Sequence, residues 1–151
     1  MITLKAYYKD RDILYGDELT DEIRANAQVT VDKCNDLLAR ANRSDITTVN
    51  SGWRPKSVND ATANAAKTSK HLLALAVDLP DADGLLAEWC MDNVDDMRDA
   101  GIWMEHPGWT PGWVHWQSVP PGNPARPQVR IFIPNASPAK ITRFGTAPVI
   151  V

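Results

Sequence analysis

The 151-residue chain has little of what marks several large protein classes. Two cysteines, Cys34 and Cys90, are too few for a disulfide framework or a four-thiolate zinc site. No apolar run is long enough to cross a membrane as a helix, so no transmembrane segment is expected. There is no basic excess. Sixteen Lys and Arg against nineteen Asp and Glu leave a formal net charge of −3, which does not suit a nucleic-acid partner. The start, Met1-Ile2-Thr3-Leu4-Lys5, turns polar too soon for a secretory leader. Synthesis in the cytoplasm without a signal peptide is therefore expected. There is no internal repeat, no heptad pattern and no obvious apolar patch, so a monomer is expected.

What is present suits one domain with a real core: 44% of residues are apolar and 23% charged. Thr20 reads as an N-cap, with Asp21 and Glu22 at the positive end of a helix dipole. Ile23, Ala27, Val31, Cys34, Leu38 and Ala41 then form one stripe on a helix of roughly 20–22 residues. Ile46 to Val49 is β-branched and reads as a strand. Ser51 to Pro55 reads as a turn, and Pro55 keeps Arg54 on extended backbone. Residues 56–70 are small and polar and read as a loop with at most one helical turn. Leu72 to Leu79 reads as a strand, with Ala74, Ala76 and Asp78 on one face and Leu75, Val77 and Leu79 on the other.

Asp81 or Asp83 caps a second helix with the stripe Leu86, Trp89, Cys90, Val94 and Met97, stopped by Gly101. Cys34 and Cys90 both fall in helical stretches, so buried reduced thiols are expected. Ile102 to Glu105 and Trp113 to Trp116 read as paired strands joined by a Pro- and Gly-punctuated loop. Seven of the eleven prolines lie from Pro120 onward, where the tail should be extended and mostly irregular, with Val129 to Ile133 strand-like. Ile131, Phe132, Ile133 and Phe144 are the residues that would lay this tail on the core. The order of elements predicts an α+β domain with a small, mainly antiparallel sheet flanked by helices.

His71, Asp78 and His115 are the residues most able to share an ion. Two imidazoles and a carboxylate close three sides of a zinc tetrahedron and leave the fourth place for water. Ala74 and Ala76 leave room beside Asp78. On spacing alone this triplet is a weak signal, and the plain alternative for His115, between two tryptophans, is a packed core histidine.

The surrounding residues sharpen it. Ser51-Gly52-Trp53-Arg54 resembles the S-G-Y-R segment of the zinc D-Ala-D-Ala carboxypeptidases and dipeptidases, whose phage relatives are the L-alanyl-D-glutamate endolysins. Ser69 to Asp78, S-K-H-L-L-A-L-A-V-D, is similar to that family's S-x-H-x-x-G-x-A-x-D. Trp113-Val114-His115-Trp116 resembles its closing W-x-H. The resemblance covers roughly residues 20–118 and leaves out the extension at 119–151.

The resemblance implies Zn2+ on His71, Asp78 and His115. It implies that Arg54 meets a carboxylate or carbonyl of a bound peptide, and that Ser69 hydrogen-bonds substrate or the shell of ligands. It also implies a peptidoglycan stem peptide as substrate, cut by a phage-type enzyme acting on the cell wall. Two positions depart from the pattern. Ala74 replaces the motif glycine, which matters if that position needs positive φ. Gly112 stands where many members place a glutamate base. Glu105 is then the first candidate base, on a register that sets Trp103 opposite His115 and Glu105 opposite Trp113; a shift by one residue would turn it to the wrong face. His106 is the second, as base or as donor to an oxyanion. Trp109, on the loop, is the tryptophan expected to line a cleft. The competing expectation is a non-catalytic wall-binding or phage structural module that keeps the zinc fold. A dipeptidase releasing free D-Ala is a third.

Overall fold

The computed structural model describes residues 1–122 and 125–134. Two short helices open the chain, α1 (Leu4–Tyr8) and α2 (Arg11–Leu14). The long helix α3 (Asp21–Arg40) starts where its cap predicts: the Thr20 hydroxyl accepts from the Ile23 amide. Its stripe Ile23, Ala27, Val31, Cys34 and Leu38 is buried, joined by Leu37. Then follow α4 (Lys56–Ala61), a 3-10 turn (Lys70–Leu73), β1 (Ala76–Pro80), α5 (Leu85–Asp92), α6 (Val94–Ala100), β2 (Trp103–Glu105), β3 (Trp113–Gln117) and β4 (Ile131–Phe132). The fold is α+β, as expected. Among the described residues no helix is long and apolar enough to cross a membrane.

The sheet runs β1-β3-β2-β4. Strand β3 pairs antiparallel with β1 and with β2, but β4 pairs parallel with β2. The sheet is therefore mixed rather than mainly antiparallel. Strand β4 lies at one end of this order, beside β2 and in the same direction. The tail is thus tied in. Arg130 lies over the Trp103 ring at 4.0 Å, and the Trp103 indole donates to the Pro127 carbonyl. Ile131 and Phe132 are buried, whereas Phe144 lies outside the described residues.

Four local expectations are corrected. Residues 46–49 form no strand; the nearest pairing is a single bridge, Ser51 to Asp78. Ser51 to Pro55 holds no turn either: after the Ser51 bridge, Gly52, Trp53 and Arg54 bond to His71 and Leu72 of the 3-10 turn. The strand at Leu72–Leu79 begins only at Ala76, because Lys70–Leu73 wind into the 3-10 turn and Ala74 (φ 57°, ψ 32°) ends it in the left-handed region. That conformation is held from α3, where the Thr30 hydroxyl donates to the Ala74 carbonyl at 2.8 Å. The second helix is split at Asn93, whose side-chain amide takes the Trp89 carbonyl and competes with the backbone.

Both candidate caps of α5 act. The Asp81 carboxylate accepts from Leu86 and Ala87, and that of Asp83 accepts from Leu85. Cys34 and Cys90 are buried free thiols, and burial pushes both pKa values up.

The N-terminal segment, silent in the sequence pattern, is part of the core. Ile2, Tyr7, Tyr8 and Leu19 are buried. The Tyr7 hydroxyl donates to the Ala76 carbonyl at 2.9 Å, two residues before Asp78. A Cβ at Gly52 would lie 2.0 Å from the Tyr7 carbonyl oxygen, so only glycine admits this close approach.

Candidate metal centre

Three segments converge on one point. The 3-10 turn supplies His71, β1 supplies Asp78, and β3 supplies His115, which sits opposite Asp78 in the ladder. One side-chain donor from each lies within 4.8 Å of the others. His71 Nε2 is 3.3 Å from Asp78 Oδ1, and His115 Nδ1 is 2.8 Å from the same oxygen. The two imidazole rings meet edge to face at 5.2 Å.

The tautomer of His71 is fixed by its other nitrogen. Nδ1 lies 2.7 Å from the Gly52 carbonyl oxygen, which can only accept, so Nδ1 carries the proton. Neutral His71 therefore presents a bare lone pair at Nε2. That atom is buried and has no hydrogen-bond partner among the described residues, and it faces a carboxylate oxygen that also carries lone pairs. Two acceptors held at 3.3 Å in a buried place are reconciled by a cation between them. In a tetrahedral site with metal–ligand distances of about 2.0–2.2 Å, neighbouring donors stand roughly 3.3–3.6 Å apart. The His71–Asp78 separation already fits. The His115–Asp78 contact is shorter, a hydrogen bond that must open by about half an ångström to admit an ion. The His-Asp-His group could thus hold a metal ion.

The charges agree. Burial lowers the pKa of His71, outweighing the pull of Asp78. Burial would raise that of Asp78, but His71 and His115 together hold it well below the usual carboxylate range. For His115 the burial penalty is overcome by the hydrogen bond and charge of Asp78, with help from Glu105, and its pKa rises. Asp78 and His115 thus favour each other's charged forms, while burial disfavours the charged form of His71.

Ser69 caps the 3-10 turn: its hydroxyl accepts from the His71 amide and from the Arg54 guanidinium, both at 3.3 Å. The Arg54 amide donates to the His71 carbonyl, so the two motif segments are laced together. Arg54 and Asp78 line a cavity of about 360 Å3 with Arg11, Asn50, Ser51, Thr62 and Trp113. Trp109 is 8% exposed, stacks edge-on against His106, and is not part of this wall. The tryptophan that lines this cavity is Trp113.

Glu105 keeps its face on a different register. Trp103 pairs with Gln117 and Met104 with Trp116, two residues from the expected alignment. An even shift preserves the face, and the same register sets Glu105 opposite His115. Asp78, His115 and Glu105 therefore form a row across β1, β3 and β2. His106 is 1% exposed, and its Nδ1 accepts from the Gly108 amide. Neutral His106 then has its proton on Nε2 and no spare lone pair, which leaves it the role of donor and not of base. Gly112 has φ 85°, a backbone that disfavours glutamate although the space beside it is open.

Sequence reasoning did not find Arg11 or the Gly52 carbonyl. Gly52 stands in the quoted S-G-W-R segment, but a backbone oxygen carries no residue-type signal. Arg11 lies in a segment without periodicity.

No protein-family model, curated protein or solved structure matches the chain.

Proposed function

We propose that this chain is a zinc-dependent peptidase that hydrolyses a peptide bond in the peptidoglycan stem peptide, in the manner of a phage endolysin. The observation that carries the reading is the buried, unpartnered Nε2 of His71, aimed at Asp78 and His115. Two imidazole nitrogens and one carboxylate oxygen are a donor set suited to Zn2+ with one open position. The stem peptide as substrate rests on the resemblance of residues 51–54, 69–78 and 113–116 to the zinc carboxypeptidases and endolysins.

When bound, zinc supplies Lewis-acid chemistry for hydrolysis at the open position. The chain's own groups do the rest. His71, fixed by the Gly52 carbonyl, and His115 and Asp78, facing each other across β3 and β1, hold the centre rigid. Arg54 binds a substrate carboxylate through a forked contact that lysine would not reproduce. Ser69 holds the Arg54 guanidinium in place. Glu105, in the row with His115, takes the proton of the attacking water and returns it to the leaving amine.

A second reading is favoured by one feature, the positive φ of Gly112 at the usual base position. In it the chain is a wall-binding or phage structural module that keeps the metal fold without catalysis. Digestion of purified murein, followed by mass spectrometry of the released peptides, separates the two. New amine ends that vanish in His71→Ala and Asp78→Ala support the peptidase. Binding to wall fragments without new amine ends would support the module.

A further inference from the structure

Arg11 and Arg54 face the same cavity, yet neither lies within 4.0 Å of a carboxylate among the described residues. The only carboxylate in that wall, Asp78, is hydrogen-bonded to His115 and faces the His71 ring. Both guanidinia are half-buried. Arg54 spends one nitrogen on Ser69, and its Nε is buried without a partner among the described residues. Arg11 spends Nη1 on the Trp53 carbonyl at 2.7 Å, which fixes the stem of the side chain and leaves the rest of its fork. The remaining lining, Asn50, Ser51, Thr62 and Trp113, carries no charge.

Arg11 disfavours the charge of Arg54 and Asp78, already hydrogen-bonded to His115, favours it, so an anion entering the cavity would relieve the repulsion between the two guanidinia. A divalent cation beside Asp78 would make the wall more positive still. The cavity is therefore built for an anion with more than one charge.

We propose that Arg11 and Arg54 together select a peptide bearing two carboxylates, with Arg54 taking the one nearer Asp78 and Arg11 the other. This rests on the peptidase reading for the word peptide, but the dianion preference stands on the two guanidinia alone. Arg11 comes from the N-terminal segment, outside the stretch that resembles the zinc peptidases. It would set specificity and not the chemistry of hydrolysis.

The test has a binding arm and a cleavage arm. In the first, zinc-loaded full-length protein is titrated calorimetrically with glutarate and with butyrate. The wild type should bind the dicarboxylate at least about tenfold more tightly, with the ratio shrinking as salt rises. Arg11→Gln should bring the ratio close to one, and Arg11→Lys should fall between. In the second, paired peptides differing only in a side-chain carboxylate or its amide are compared, and the acid-to-amide ratio of kcat/KM should collapse in Arg11→Gln. Zinc content and thermal midpoint report whether each variant is folded; if Arg11→Gln is not, Arg11→Lys and the salt series decide. An equal affinity of the wild type for both anions overturns the proposal. So does a preference that survives in folded Arg11→Gln, or in Arg11→Lys where Arg11→Gln does not fold. Glutarate discrimination without any peptide cleavage would instead count against the peptidase reading.

Discussion

The ring of His71 donates through Nδ1 to the carbonyl of Gly52, and that one bond decides which nitrogen faces Asp78. Gly52 can approach so closely because it has no side chain: an added Cβ would sit 2.0 Å from the Tyr7 carbonyl oxygen. Gly52→Ala must therefore move either α1 or the acceptor of His71. A stability loss of about 3 kcal/mol or more in urea unfolding is expected. Zinc affinity, read by chelator competition, should fall roughly 10–100-fold, the usual effect of losing a partner behind a ligand. Unchanged zinc affinity in a folded Gly52→Ala would remove this bond from the account.

Ala74 sits with φ 57°, where the resembling family has glycine. The left-handed conformation costs a non-glycine residue roughly 1–2 kcal/mol. Ala74→Gly would relieve that strain. It would also lose a buried methyl, worth about 0.8 kcal/mol, and gain about 0.4–1 kcal/mol of unfolded-state entropy. The terms nearly cancel, so the substitution should be close to neutral. Ala76, equally buried but in β1, has no strain to relieve, and Ala76→Gly should cost about 1–2 kcal/mol. Equal losses at the two positions, measured by chemical denaturation, would contradict the strain at Ala74.

Much of this was readable before any coordinates. The cap at Thr20 and the stripe of α3 follow from capping chemistry and periodicity, and strands β2 and β3 were legible to within one residue at their ends, whereas the trio His71, Asp78 and His115, weak on spacing alone, came from the resemblance of residues 51–54, 69–78 and 113–116. What was hidden has physical causes. Residues 46–49 have strand-forming side chains but pair with no strand; the backbone bonds to β1 begin only at Asn50 and Ser51. Leu72 and Leu73 look strand-like by alternation, but the Ser69 cap and the left-handed Ala74 wind Lys70–Leu73 into a turn. Helices α1 and α2 are too short for periodicity to show, although Tyr7 and Arg11 support the site. The register of β2 on β3 depends on how residues 106–112 turn, which pattern alone does not fix.

Alkaline stability offers a separate check on Tyr7, which is fully buried and bonded to the Ala76 carbonyl. Burial raises its pKa well above the usual tyrosine value of about 10, so the folded chain keeps a proton that the unfolded chain releases. Stability from this group is complete below pH 10 and declines as pH rises past it. Cys34 and Cys90, also raised by burial, start the decline from about pH 9, their unfolded value. Tyr7→Phe should lose about 1 kcal/mol at pH 8 for the missing hydrogen bond. Above pH 10 its urea midpoint should fall less steeply than that of the wild type. Parallel falls for both proteins would exclude Tyr7 as a source of the slope.

The roles of Glu105 and His106 separate by kinetics. Glu105→Gln should lower kcat for peptide hydrolysis by roughly 10²–10⁴-fold with zinc content unchanged. His106→Gln should lower it less, because the Nδ1 bond to Gly108 leaves this ring only a proton to donate. Full activity in Glu105→Gln would hand the base to another group.

The central claim is that His71, Asp78 and His115 share one zinc ion. Anomalous diffraction at the zinc edge, from crystals grown with one equivalent of the metal, tests it directly. The account predicts a single strong peak about 2.0–2.2 Å from His71 Nε2, an Asp78 oxygen and a His115 nitrogen, with the fourth position open toward the Arg54 cavity. A peak elsewhere, or no peak at that point with zinc in excess, would contradict it.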